Sequence, residues 1–220
     1  TPFLPSPPRF GGQRRLDGLM RSLAKSHEVS VVSFNASDEF EQASLDATRE
    51  YCKHVGTFPD LEFKDARKKR LLQAASMLSP RSFEHHLMVR HGNFKQRLRA
   101  LVGTGEFDIV QVEFAQMAAF SFKQPADRRF RTVLDEHNIE YDIVRRTAEG
   151  QTSSGRRMYA AVDWRKLKFE EQRAWRRLDG VAVTSDRDAE MLRQEEPSTE
   201  LAVVPNGVDV LEFQPSAGPT

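Results

Sequence analysis

Residues 135–142, DEHNIEYD, put His137 and Asn138 directly behind a short apolar run, Thr132-Val133-Leu134, with Arg145 and Arg146 close behind. A run of that kind ends a strand, and the carboxyl ends of parallel strands are where open α/β sheets keep their ligands. An imidazole placed there can hydrogen-bond a substrate or move a proton near neutral pH. It can equally fill a turn, and the octapeptide alone leaves both readings open. The second candidate is the pair Gly11-Gly12, ahead of a helix expected to start near Arg14. Glycines let backbone N–H groups approach a phosphate, and a helix N-terminus adds a favourable dipole. The alternative is a flexible turn.

Other constellations point away from metals and nucleophiles. Asp186-Arg187-Asp188 spells D-x-D, which can hold a divalent ion, but Ser185 with Asp188 is also a capping pattern ahead of a helix, and that account is preferred. No metal is expected. His85 and His86 are neighbours, about 100° apart on a helix, so they do not converge on one ion, and with His91 they are read as surface residues. There is no G-x-S-x-G motif, and Cys52 is read as lying in a charged helix, so acyl-transfer chemistry has no centre.

The elements that must position these residues alternate. A proline-rich opening, residues 1–15, reads as loop; Leu16, Leu19, Met20 and Leu23 then give one helical face. Strands are expected at HEVSVVSF, HVGTF, FDIVQVEF (107–114), TVLD (132–135), GVAVTS (180–185) and LAVVP (201–205), with helices between most of them. Apolar strands alternating with helices predict an α/β, Rossmann-like, mainly parallel sheet with helices on both faces. In the helix expected over 158–178, Trp164, Leu167, Trp175 and Leu178 form an apolar stripe with Glu171 in its middle. A carboxylate there needs a partner: backbone or arginine in a structural role, or else the ligand. The basic run Arg67 to Arg70 is either a solvated helix face or a contact for anionic lipid headgroups.

Thirty-three Lys and Arg against 32 Asp and Glu leave a net charge of +1, which argues against a surface built to coat nucleic acid. One cysteine excludes an internal disulfide, and no apolar run is long enough to span a bilayer; the expectation is a cytoplasmic protein, peripheral at most on the inner face of a membrane. The chain opens in a loop where an α/β domain opens with a strand, and ends in NGVDVLEFQPSAGPT, so a fragment of a longer protein is expected.

Together these segments resemble the N-terminal domain of the retaining GT-B glycosyltransferases of family-4 type, which include glycogen synthases, sucrose synthases and mannosyltransferases. TPFLPSPPRFGGQRRLDGLMRSLAKSHEVSVVSF resembles the family's opening, TVLDEHNIEYD its strand with the active-site histidine, LDGVAVTSDRDAEML its D-x-V-x-x-x-S strand and helix, and LAVVPNGVDVLEFQP its junction to a second domain. The resemblance implies a domain over 1–205 and the start of an interdomain linker at 206–220. It implies that His137 is catalytic, that Gly11, Gly12, Arg15 and Asn138 bind substrate or phosphate, and that Glu171, Asn206, Gly207 and Asp209 are structural or interdomain. It also implies a nucleotide-sugar donor as co-substrate with no other cofactor, and a glycan, lipid-linked or small-molecule acceptor. The nearest flavour is that of exopolysaccharide-assembly transferases. The family's E-x7-E donor motif is absent from these residues, so the segment alone is expected to be inactive. A nucleotide-sugar epimerase and a non-catalytic binding module, or half of a two-chain enzyme, stay open.

Overall fold

A computed structural model describes residues 1–35, 41–59, 66–103, 107–120 and 130–208. Its elements run α1 (Gly11–Leu23), β1 (Ser30–Asn35), α2 (Glu41–Arg49), β2 (His54–Pro59), α3 (Ala66–Met77), α4 (Phe83–Met88), α5 (Gly92–Val102), β3 (Ile109–Glu113), a 3-10 turn (Ala115–Phe120), β4 (Arg131–Glu136), α6 (Glu140–Glu149), α7 (Ser154–Trp175), β5 (Gly180–Val183), α8 (Asp186–Glu195) and β6 (Leu201–Val203). Each strand expected from the sequence is present. All the strand pairs are parallel, which makes the fold α/β and Rossmann-like.

The described strands form two sheets where one was expected: β1-β2, and β3-β4-β5-β6. Among the described residues no strand pairing joins the two sheets. The two sheets are joined instead by side chains, with Phe34 of β1 packed among Phe94, Met117 and Phe120, and with Val112 of β3 against the same cluster. The larger sheet has a register that sets up the site. Val112, Leu134, Val181 and Leu201 form one row across its four strands, and Leu134 and Val181 belong to the main core with Leu167, Trp175 and Leu192. The next row begins Glu113, Asp135. Two carboxylates side by side, both buried, repel unless cations meet them.

Local chemistry explains the helix ends and corrects several expectations. α1 begins at Gly11, not near Arg14, because Gln13 ties down the preceding loop: its Oε1 accepts from the Arg9 N–H at 2.8 Å and its Nε2 donates to the Leu4 carbonyl at 2.9 Å. Ser185 Oγ accepts from the Asp188 N–H at 3.2 Å and donates to Asp188 Oδ2 at 2.7 Å, so the D-x-D residues form the capped first turn of α8. Cys52 lies past the end of α2, where the Cys52 N–H closes on the Thr48 carbonyl and the thiol is buried with Leu16, Met20 and Val31. His85 is buried as well, not a surface residue: its Nδ1 lies 3.0 Å from Glu170 Oε2, beside the Ser82 hydroxyl that caps α4. His91 is half-buried and packs on the Phe34 ring.

Candidate functional site

His137 leaves the end of β4 with its ring buried. Its Nε2 is 2.8 Å from Glu113 Oε2 and 3.6 Å from Asp135 Oδ2, so the acidic pair created by the strand register faces one imidazole. The ring lies on Phe114, with centroids 3.9 Å apart and planes at 31°. Phe114 follows Glu113 with a φ of 66°, in the left-handed region that non-glycine residues rarely adopt. Such strain persists where surrounding contacts impose it. Here the Phe114 N–H donates to the Asp135 carbonyl at 3.0 Å while its ring is held between His137 and Phe3. The Thr184 hydroxyl donates to the His137 carbonyl at 3.1 Å, tying the turn to the end of β5.

The glycine pair reaches the same place from the other side. A Cβ on Gly12 would stand 3.2 Å from a Phe10 ring carbon and 3.3 Å from one of Phe114, whereas one on Gly11 would meet nothing within 4 Å. A side chain at Gly12 would therefore press these rings apart by a few tenths of an ångström, whereas Gly11 leaves open space at the first turn of α1. Phe10, as N-cap, offers no side-chain bond to the amides of that turn. The Phe114 ring links Gly12 to His137.

Arg15, one turn into α1, is buried and committed. Its Nε and Nη2 donate to the two oxygens of Asp135 at 3.1 and 2.7 Å, and its Nη1 donates to the Val204 carbonyl at 2.8 Å and Asn206 Oδ1 at 3.2 Å. A fork of this shape suits a carboxylate that must be neutralised away from water. Burial still raises the Asp135 carboxyl above its ordinary range, with the Glu113 charge adding to the shift against the pull of Arg15. Glu113, Asp135 and His137 present atoms within 4.8 Å of one another, close enough to grip a cation. Their oxygens are already bonded: those of Asp135 by Arg15, and those of Glu113 by the imidazole and by Gln111 Nε2 at 2.6 Å.

Behind this network lies a second, tighter one. Both oxygens of Glu171 accept backbone N–H groups at the start of α6, from Glu140 at 2.8 Å and Tyr141 at 3.0 Å, so the carboxylate in the apolar stripe caps a helix. Glu136 is next to it, fully enclosed: Oε2 accepts from Trp175 Nε1 at 3.2 Å, and Oε1 has no partner among the described residues. Each carboxyl is raised above the ordinary range, first by burial and then by neighbouring acids, and Glu136 reaches about 8.

The remaining expected residues divide. Asn138 is exposed and its side chain bonds Glu140. Arg145 and Arg146 turn to Asp142, which Arg187 also meets at 2.7 Å, and none of them points to His137. Asn206 is joined to the site through Arg15, Gly207 is exposed with open space around it, and Asp209 lies outside the described residues, as does most of the expected linker. Sequence reasoning missed Glu113, Phe114 and Glu136, and quoted Asp135 without giving it a role. The signal was there: Glu113 and Asp135 are acids at the ends of two apolar strands, where solvent-facing alternation gives no reason for them.

Residues 11–211 match the model of one protein family, described as Glycosyltransferase Family 4. No curated protein matches the chain.

Proposed function

We propose, since the chain belongs to glycosyltransferase family 4, that it is the acceptor-side domain of a retaining transferase that moves a sugar from a nucleotide-sugar donor to an acceptor hydroxyl in polysaccharide or glycolipid assembly. The observation that carries the reading is the buried His137–Glu113 pair at the sheet's carboxyl edge, joined through the Phe114 ring to the glycine pair of α1. Glu113 fixes the tautomer: accepting from Nε2, it leaves Nδ1 as the ring nitrogen for a hydroxyl of the transferred sugar. In the reaction the bond from the anomeric carbon to the leaving phosphate oxygen breaks, the acceptor oxygen bonds that carbon, and the acceptor proton passes to the departing phosphate. The amides at the open Gly11 end of α1 are suited to the negative charge that builds on that phosphate. Arg15 acts at one remove, by holding Asp135 and residues 204–206 in place.

The test is a transfer assay on the natural full-length protein across a panel of nucleotide sugars, with the anomeric configuration of donor and product read by NMR. Retention in the wild type, with kcat lowered at least about a hundredfold in His137→Ala and about tenfold or more in Glu113→Gln, is expected. Full activity in His137→Ala would overturn the assignment. Altered stereochemistry of the free nucleotide sugar without any acceptor would identify an epimerase instead.

A further inference from the structure

The turn that carries His137 is pinned at both ends by one pair of buried carboxyls. Glu136 ends β4 immediately before it, and Glu171 of α7 holds the Glu140 and Tyr141 amides just after it, at 2.8 and 3.0 Å. The reaction described above uses neither acid. Both are fully enclosed, and neither bonds a cation among the described residues.

Two like charges in such a place are not sustained together, so the pair holds a proton. The surroundings decide which member carries it. Burial, Glu140 of α6 and Asp135 of its own strand all oppose a charge on Glu136, against Trp175 Nε1, 3.2 Å from Oε2, and the Ala115 amide of the 3-10 turn. Its Oε1 has no partner among the described residues. Glu140 in turn feels Glu84 of α4 and His137. Glu171, by contrast, has two amides at the positive end of a helix to meet its charge. The proton therefore rests on Glu136, and Glu171 serves as a charged cap.

We propose that Glu136 is a positioning residue: its carboxyl must stay protonated for Glu171 to hold the start of α6, and thereby for His137 to keep its place against Glu113. Its effect on catalysis rests on the transferase reading; its effect on the turn does not. Once Glu136 ionises, the two carboxylates repel with no water or cation between them. Glu136 is fixed in a strand, paired with Val183 of β5, so the contact that gives way is the cap. The first turn of α6 then loosens beside His137. Burial pushes the Glu136 carboxyl up to about 8, so the proton is kept below that pH and the hold on the turn is lost as the pH rises through it.

The experiment uses the natural full-length protein and two readouts. The first is hydrogen exchange at the Glu140 and Tyr141 amides, expressed as protection factors from about pH 6 to about pH 9.5, without any substrate. Wild-type protection should fall at least about tenfold over that range, and that of Glu136→Gln should stay within about twofold. Glu171→Gln keeps the shape but not the charged cap, so it should lose protection at every pH. The second readout is kcat over the same range. Glu136→Gln should match the wild type at the acid end and lack the alkaline decline that the wild type shows. A wild-type protection profile that is flat in pH overturns the proposal, as does a Glu136→Gln enzyme that keeps the wild-type decline. If no nucleotide sugar is transferred at any pH, the transferase reading fails, and the exchange profile alone still decides whether Glu136 holds the turn.

Discussion

Replacing Glu136 by glutamine should stabilise the protein, and increasingly so as the pH rises. Glu136 is enclosed by Trp175, Glu171 and the start of α6, with Glu140, Asp135 and Glu171 as the acids around it. Of the pair, Glu171 is the better home for a negative charge, since two amides at the positive end of α6 meet it. The proton then belongs to Glu136, whose carboxyl burial pushes up to about 8 from an ordinary 4.5. Because the folded pKa is raised, the folded state keeps a proton that the unfolded chain has already released. The stability is therefore fully present below about pH 4.5 and is lost as pH rises through about 8. At about 1.4 kcal/mol per unit the ceiling is about 5 kcal/mol, and about half of that is expected once the charged side chain draws in water. Glutamine keeps the shape and an acceptor for Trp175 and has no proton to lose. In urea unfolding, Glu136→Gln should match the wild type near about pH 5 and exceed it by about 2–3 kcal/mol near pH 8, with Glu171, relieved of the Glu136 charge, shifting in the same direction. A difference that stays flat or shrinks over that range would refute the reasoning.

Arg15→Lys keeps the charge but not the fork, and should cost about 3 kcal/mol, read as a Tm lower by roughly 6–12 °C, because Asp135 stays buried and poorly met. Gly12→Ala should cost about 1 kcal/mol and lower kcat/KM together, since its Cβ presses on the ring that supports His137, 3.3 Å away. Gly11→Ala meets open space, so its unfolding free energy should rise by up to about 1 kcal/mol while kcat/KM falls if the first turn of α1 receives phosphate. A Gly11→Ala enzyme with unchanged kinetics would remove that turn from the site.

The strands and the long helices were legible because their signals are local: β-branched runs at Val29–Phe34 and Val181–Val183, and the stripe through Leu167 and Trp175. Glu171 was legible as an anomaly within that stripe, though its partners, the amides of residues 140 and 141, lie thirty or so positions away and could be learned only from packing. His85 was misread for a related reason. Nothing near it in sequence announces Glu170, which arrives from another helix to meet its ring. The position of His137 was readable from the end of an apolar run, whereas its chemistry was not, because Glu113 becomes its neighbour through the parallel register of β3 and β4 alone.

That register also explains why Arg15, assigned by the resemblance to substrate or phosphate, is bonded to Asp135. Placing Glu113 beside Asp135 gives His137 a carboxylate to fix its ring, but it leaves a second buried acid that the imidazole, 3.6 Å away, cannot fully satisfy. Arg15 supplies the missing charge and carries two donors beyond what Asp135 needs, which reach the Val204 carbonyl and Asn206. The end of β6 is thereby coupled to the end of β4 through one guanidinium. Replacing Asn206 or shifting residues 204–206 removes bonds from Arg15 Nη1 that help to hold the guanidinium on Asp135, 3.6 Å from the His137 ring.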